Sequence, residues 1–104
     1  MTNKELKRKR EEIVEEMTLE TETAKRYTKL AFEKLAKGER GIAIKFYDIV
    51  CIAWECAMQK HDELWDLVGE DMTEEEFKHF CEAETCYTDR IKLAKALNGS
   101  HIKS

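Results

Sequence analysis

The segment IAIKFYDIVCIAWECAMQKHDELWDLV, residues 42–68, decides the fold. It contains neither proline nor glycine, and its apolar residues recur at helical spacing. One narrow stripe is polar: Lys45, Asp48, Glu55, Gln59, Asp62 and Asp66, interrupted only by Ile52. Ile42, Phe46, Ile49, Ala53 and Ala57 form one apolar side, and Tyr47, Cys51, Trp54, Met58 and Trp65 form another. A helix that is apolar around most of its girth belongs at the buried centre of a bundle.

Working outward, Gly38-Glu39-Arg40-Gly41 reads as a tight bend before this helix, and Gly69 as its stop. Upstream, Ala24, Tyr27, Ala31 and Leu35 are spaced as an amphipathic helix that ends at Lys37-Gly38. Thr2-Asn3-Lys4-Glu5 has the form of a capping box, and Leu6, Ile13, Val14 and Met17 carry the helical pattern on from it. Thr18, Thr21 and Thr23 lower helix propensity, so a break at 18–23 stays an open alternative. Downstream, Thr73-Glu74-Glu75-Glu76 is a second capping box. Phe77, Phe80, Cys81, Tyr87, Ile91 and Ala94 supply the inner face of a last helix, which Asn98-Gly99 should end.

The expected fold is therefore all-α: a small antiparallel helical bundle of three to four helices in one domain, residues 1–104. The helices are placed at 3–37, 42–68 and 74–97, with a tail at 99–104. The absence of proline and a charged content of 38% agree with a helical chain, and 42% hydrophobic residues suffice for a core. No apolar run approaches the ~20 residues of a membrane span. The N-terminus lacks the basic-then-apolar layout of a secretory signal, so a cytoplasmic protein is expected.

Tyr27, Leu30, Ala31, Gly38, Ala43, Ile44 and Tyr47 resemble a single tetratricopeptide-type hairpin. The resemblance covers about a quarter of the chain and implies tight packing of two antiparallel helices. It ends there, because the central helix is longer than such repeats and no second repeat follows.

Charge is unevenly distributed. Lys25 to Lys45 holds seven basic and two acidic residues, whereas Asp62 to Glu76 holds eight acidic and no basic ones. Folding the hairpins up and down gives a rod with one basic and one acidic end. Terminal lysines and the glutamates 74–76 complement helix dipoles, but Asp62, Glu63 and Asp66 sit near a helix C-terminus, where the dipole disfavours them. Lys7-Arg8-Lys9-Arg10 is followed at once by Glu11, Glu12, Glu15 and Glu16, which read as its ion-pair partners. With a pI of ≈ 5.5, this argues against nucleic-acid binding.

Cys51-x4-Cys56 and Cys81-x4-Cys86 repeat one spacing on two helices. Residues five apart diverge by roughly 140° on a helix, so neither pair joins one zinc site. If the bend centres near Asp71, positions whose numbers sum to about 142 face each other, and Cys56 meets Cys86 as a candidate disulfide. Glu76-x-x-His79 matches half of a carboxylate-bridged di-iron signature. With His61 and Cys81 it makes a candidate metal set. The only serines are Ser100 and Ser104, and there is no phosphate-binding glycine loop, so no catalytic residues and no cofactor are assigned.

The leading expectation is a non-enzymatic protein-interaction module, an adaptor, regulator or inhibitor, that binds another protein and self-associates as a homodimer or larger oligomer. Its contact surface would comprise Tyr47, Trp54, Met58 and Trp65 with Asp62 and Asp66, because aromatic residues and Met are enriched at interface centres. One alternative is a small-anion or nucleotide binder using Lys37, Arg40, Lys45 and Lys95. The other is a metal- or redox-responsive protein using the cysteine, histidine and glutamate residues.

Overall fold

The computed structural model describes residues 1–103, with side chains described through residue 99. Three long helices run α1 (Asn3–Ala36), α2 (Arg40–Val68) and α3 (Glu74–Lys103), with a 3₁₀ turn at Gly69–Asp71. They lie alternately up and down in a rod measuring 58 × 19 × 17 Å.

Local chemistry explains the ends. Thr2 Oγ1 accepts from the Glu5 amide at 3.2 Å and opens α1. α3 opens with a reciprocal box, in which the Glu76 amide donates to Thr73 Oγ1 (3.1 Å) and the Thr73 amide to Glu76 Oε1 (2.8 Å). α1 closes by a Schellman pair, Glu39 N–H to Lys34 O (2.9 Å) and Gly38 N–H to Leu35 O (3.0 Å). That closure needs Gly38 at φ 79°, a conformation costly for any residue with a Cβ.

The threonine stretch is not a break. α1 is one helix of 34 residues. Thr21, Thr23 and Thr28 turn their hydroxyls back to the carbonyls of Met17, Leu19 and Ala24 at 2.7–3.0 Å, which satisfies them inside the helix. α2 begins at Arg40 and takes Gly41 into its first turn, so the bend is shorter than its two glycines suggest. α3 does not end at Asn98-Gly99. Gly99 is not in the left-handed region, and the helix continues to Lys103. One glycine inside a helix costs only about 1 kcal/mol, too little to stop it alone. Of the expected tail, Ser104 lies outside the described residues.

Two cores lie in line along the rod. One gathers Ala24, Ala31, Ala43, Val50, Ala53, Cys86, Leu93 and Leu97; the other gathers Ile13, Met17, Leu64 and Ala83. α1 packs most extensively on α2. In the first core that seam buries Ala31 and Ala43 at 0% exposure, small side chains that let the two backbones come close. This is the tight antiparallel packing that the hairpin resemblance implies.

The inner face of α3 differs from expectation. Ala83, Cys86, Leu93 and Leu97 are buried, while Phe77, Cys81 and Tyr87 are exposed. α3 packs against both α1 and α2, so its buried stripe points between them and the bulky aromatic stripe is left at the edge of the α2 contact. α2 is likewise less enclosed than its composition suggests, since Ile42 and Trp65 are exposed.

Replacing Ala31 with leucine should overpack the α1–α2 seam. We expect a loss of about 1–3 kcal/mol. The same change at exposed Ala36 should fall within about 0.5 kcal/mol of the parent, with both read by thermal and urea unfolding.

Candidate functional site

α2 and α3 face each other antiparallel, and one stripe from each builds a continuous seam. On α2 the spacing 47, 51, 54, 58, 61, 65 keeps one side toward α3. Trp54 meets Tyr87, with ring centroids 5.9 Å apart, and the Arg90 guanidinium carbon lies 4.5 Å from the Trp54 ring centroid as a cation–π partner. Farther along, His61 stacks on Phe80 at 3.6 Å, and Trp65 and Phe77 approach Phe80 at 6.1 and 6.4 Å. The contacts between Trp54 and Tyr87 and between His61 and Phe80 follow the register expected from a bend near Asp71.

The predicted contact stripe therefore divides. Tyr47 and Trp54 are half-buried against the first core, and Met58 against the second. Trp65 is 50% exposed and Phe77 56% exposed, joined through Phe80 into one aromatic platform. Asp62 and Asp66 are exposed on the same end of α2. His61 bridges Asp62 Oδ1 (3.2 Å) and Glu84 Oε1 (3.0 Å), tying the platform's inner edge to both helices. The helical spacing of α3 alone places Phe77 and Tyr87 in the interior. The signal against that was the second stripe of α3, Ala83-Cys86-Leu93-Leu97, whose smaller residues made it less conspicuous.

At the head of the seam, Tyr47, Cys51 and Arg90 are neighbours. Cys51, next to the Tyr47 phenol, together with partial burial pushes the phenol above its ordinary range. Trp54 Nε1 and Arg90 Nε are buried there without hydrogen-bond partners among the described residues.

The candidate metal set does not assemble. Glu76 turns to α1 and takes a bidentate grip from Arg10 (Nε 2.8 Å, Nη2 2.5 Å). His79 also faces α1, with Nδ1 3.1 Å from Thr18 Oγ1, whereas His61 faces the opposite seam and Cys81 is exposed. Among the described residues no group of three or more His, Cys, Asp or Glu is arranged to hold a metal ion. The four cysteines are free. Cys86 is buried and directs Sγ at Thr21 O on α1 (4.0 Å), so its side chain serves the α1 contact rather than a bridge to Cys56.

The charged ends also need revision. In a three-helix array α1 runs parallel to α3, so Lys7–Arg10 lies at the supposedly acidic end. Arg10 pairs with Glu76 and donates to Asp71 O (3.3 Å). Glu16 pairs across to Lys60 (2.8 Å), which also holds Glu63 (2.9 Å). These charges are thus used between helices, where the sequence suggested pairing within α1. At the other end, Arg40 Nε donates to Leu97 O (3.4 Å), and Lys37, Lys45 and Lys95 are exposed. No helix among the described residues is long and apolar enough to cross a membrane. No protein-family model, curated protein or solved structure matches the chain.

Two measurements test this geometry. Arg10 and the Thr73 amide hold the Glu76 carboxyl below its ordinary range. The stabilisation is then fully present above the unfolded carboxyl value of about 4.3 and is lost as pH falls through the lower native value. E76Q keeps a capping-box residue but not the charge, and should cost about 1–2 kcal/mol at pH 7. That deficit should shrink towards zero below about pH 4 in unfolding curves. Thiol labelling at neutral pH should modify Cys81 first and Cys51 and Cys56 more slowly. Cys86, whose thiol burial pushes up, should react only after unfolding, as followed by peptide mass spectrometry.

Proposed function

We propose that the chain is a non-enzymatic protein-interaction module, an adaptor, regulator or inhibitor that works by covering another protein and that also associates with itself. The observation that carries this reading is the half-exposed Trp65–Phe77 platform beside Asp62 and Asp66. Contiguous exposed aromatic surface is uncommon on a monomer without a binding role, and Trp is among the residues that dominate interface energies. The carboxylates around it favour a partner that offers basic residues beside an apolar patch. A reducing, cytoplasmic setting suits the four free thiols.

The test compares wild-type protein with W65A/F77A and with D62K/D66K as bait for a partner from the source cells. Both variants alter exposed positions and should keep helicity and melting temperature near the parent's. A partner specific to wild type should lose about thirtyfold or more in affinity for W65A/F77A. The charge reversal should slow its association and blunt its salt dependence. Undiminished binding of that partner by both variants would show that the seam is not its contact surface.

A further inference from the structure

On the side away from the seam, α1 and α3 enclose a groove of ≈ 880 Å³. α1 lines it from Asn3 to Glu22, roughly 28 Å of helix. This wall carries two oblique rows at intervals of four residues. Leu6, Arg10, Val14, Thr18 and Glu22 form one, and Lys7, Glu11, Glu15 and Leu19 form the other. Two contacts join the walls, Arg10 with Glu76 and Thr18 Oγ1 with His79 Nδ1 at 3.1 Å. The charges that remain are unbalanced. Glu11, Glu15 and Glu22 on α1 and Glu75 on α3 are exposed, against Lys7 alone. Among the described residues none of these five has an ion-pair partner within the chain.

We propose that this groove docks a basic amphipathic helix of another protein, laid antiparallel to α1. The face lies apart from the aromatic seam and is a second recognition surface, not a part of the first. The argument is charge complementarity. Four unpaired carboxylates against one ammonium select a cationic occupant. Glu11, Glu15 and Glu22 are spread over roughly 16 Å of α1, so one ammonium or guanidinium group cannot serve them all. Lysines or arginines on successive turns of a helix can. The rows of α1 are ridges of the kind between which a second helix packs. Leu6, Val14 and Leu19, set among the charges, meet the apolar residues between its basic positions. Dipoles decide the direction. The N-termini of α1 and α3 lie at the Lys7 end, and an antiparallel occupant brings its negative C-terminal end there and its positive N-terminal end beside Glu22. α1 of a second copy would bring the same excess of carboxylates and is the poorer fit.

Fluorescence anisotropy of labelled helical peptides against the full chain tests this. The probe is a peptide of leucine, alanine and lysine whose lysines flank one leucine stripe. A second peptide has the same residues with the lysines scattered around the helix, and a third has glutamate for lysine. The expected result is saturable binding of the first alone, weakening as salt rises. E15K/E22K should lower its affinity about tenfold or more, and K7E should raise it about threefold. All three substitutions fall at exposed positions, and a gain of affinity in K7E is a change that loss of folding would not produce. W65A/F77A should bind the peptide as the parent does. No saturable binding, equal binding of the scattered peptide, or full affinity in E15K/E22K would overturn the proposal. So would K7E weakening the complex as much as E15K/E22K does. Affinity lost in W65A/F77A and kept in E15K/E22K would also overturn it and move the basic helix to the seam.

Discussion

The close approach of α1 and α2 over buried alanines is the constraint on which the rest depends. Where Ala24, Ala31, Ala43 and Ala53 share a core, the helices cannot slide or rotate without either opening a void or driving a larger residue into the gap. That packing fixes which side of α2 is left for α3. The remaining side carries Tyr47, Trp54, Met58, His61 and Trp65, too bulky for a similarly narrow seam. The rings therefore meet those of α3 near the surface, edge to edge or stacked, and their outer halves stay in water. The aromatic platform is thus a consequence of how α1 docks.

An odd number of antiparallel helices brings the first and last into parallel alignment. The N-termini of α1 and α3 then lie at one end, both with positive dipole ends, and beside the C-terminus of α2. Glu74, Glu75 and Glu76 answer this at α3, and the Arg10–Glu76 grip joins the two helices. Lys60 performs the corresponding task between α1 and α2 by holding Glu16 and Glu63 together. The Lys60 pairs are exposed enough to contribute only modestly to stability. Their larger effect is on register, since each specifies which turn of one helix faces which turn of another.

The sequence was most legible where the signal is local. Both capping motifs, the Gly38 stop and the α2–α3 register can be read from short stretches whose chemistry allows few alternatives. Legibility fell where the answer depends on a third element. Thr21 looked like a breaker because an isolated helix gives its hydroxyl and methyl nothing to pack on, and in the bundle it is buried. Phe77 and Tyr87 looked internal because hydrophobicity alone does not say which of two apolar stripes on α3 will be enclosed. The candidate metal set failed for the same reason. Glu76 and His79 lie on the α1 side of α3 while His61 lies on the α2 side, a distinction of rotation about one helix axis that spacing along the chain does not contain. The groove between α1 and α3 left no trace in the sequence, since it arises from two segments more than fifty residues apart.

The two cores placed end to end give the rod a mechanical character. Any cross-section of a body 58 Å long and under 20 Å wide contains only three helices and a few buried side chains. Loosening one end need not disturb the other, so amide exchange should divide the chain into an Ala24–Leu97 block and an Ile13–Ala83 block that open independently. The platform and the groove both lie towards the second block. The first block, closed by its alanine seam, acts as the anchor against which the recognition end can breathe.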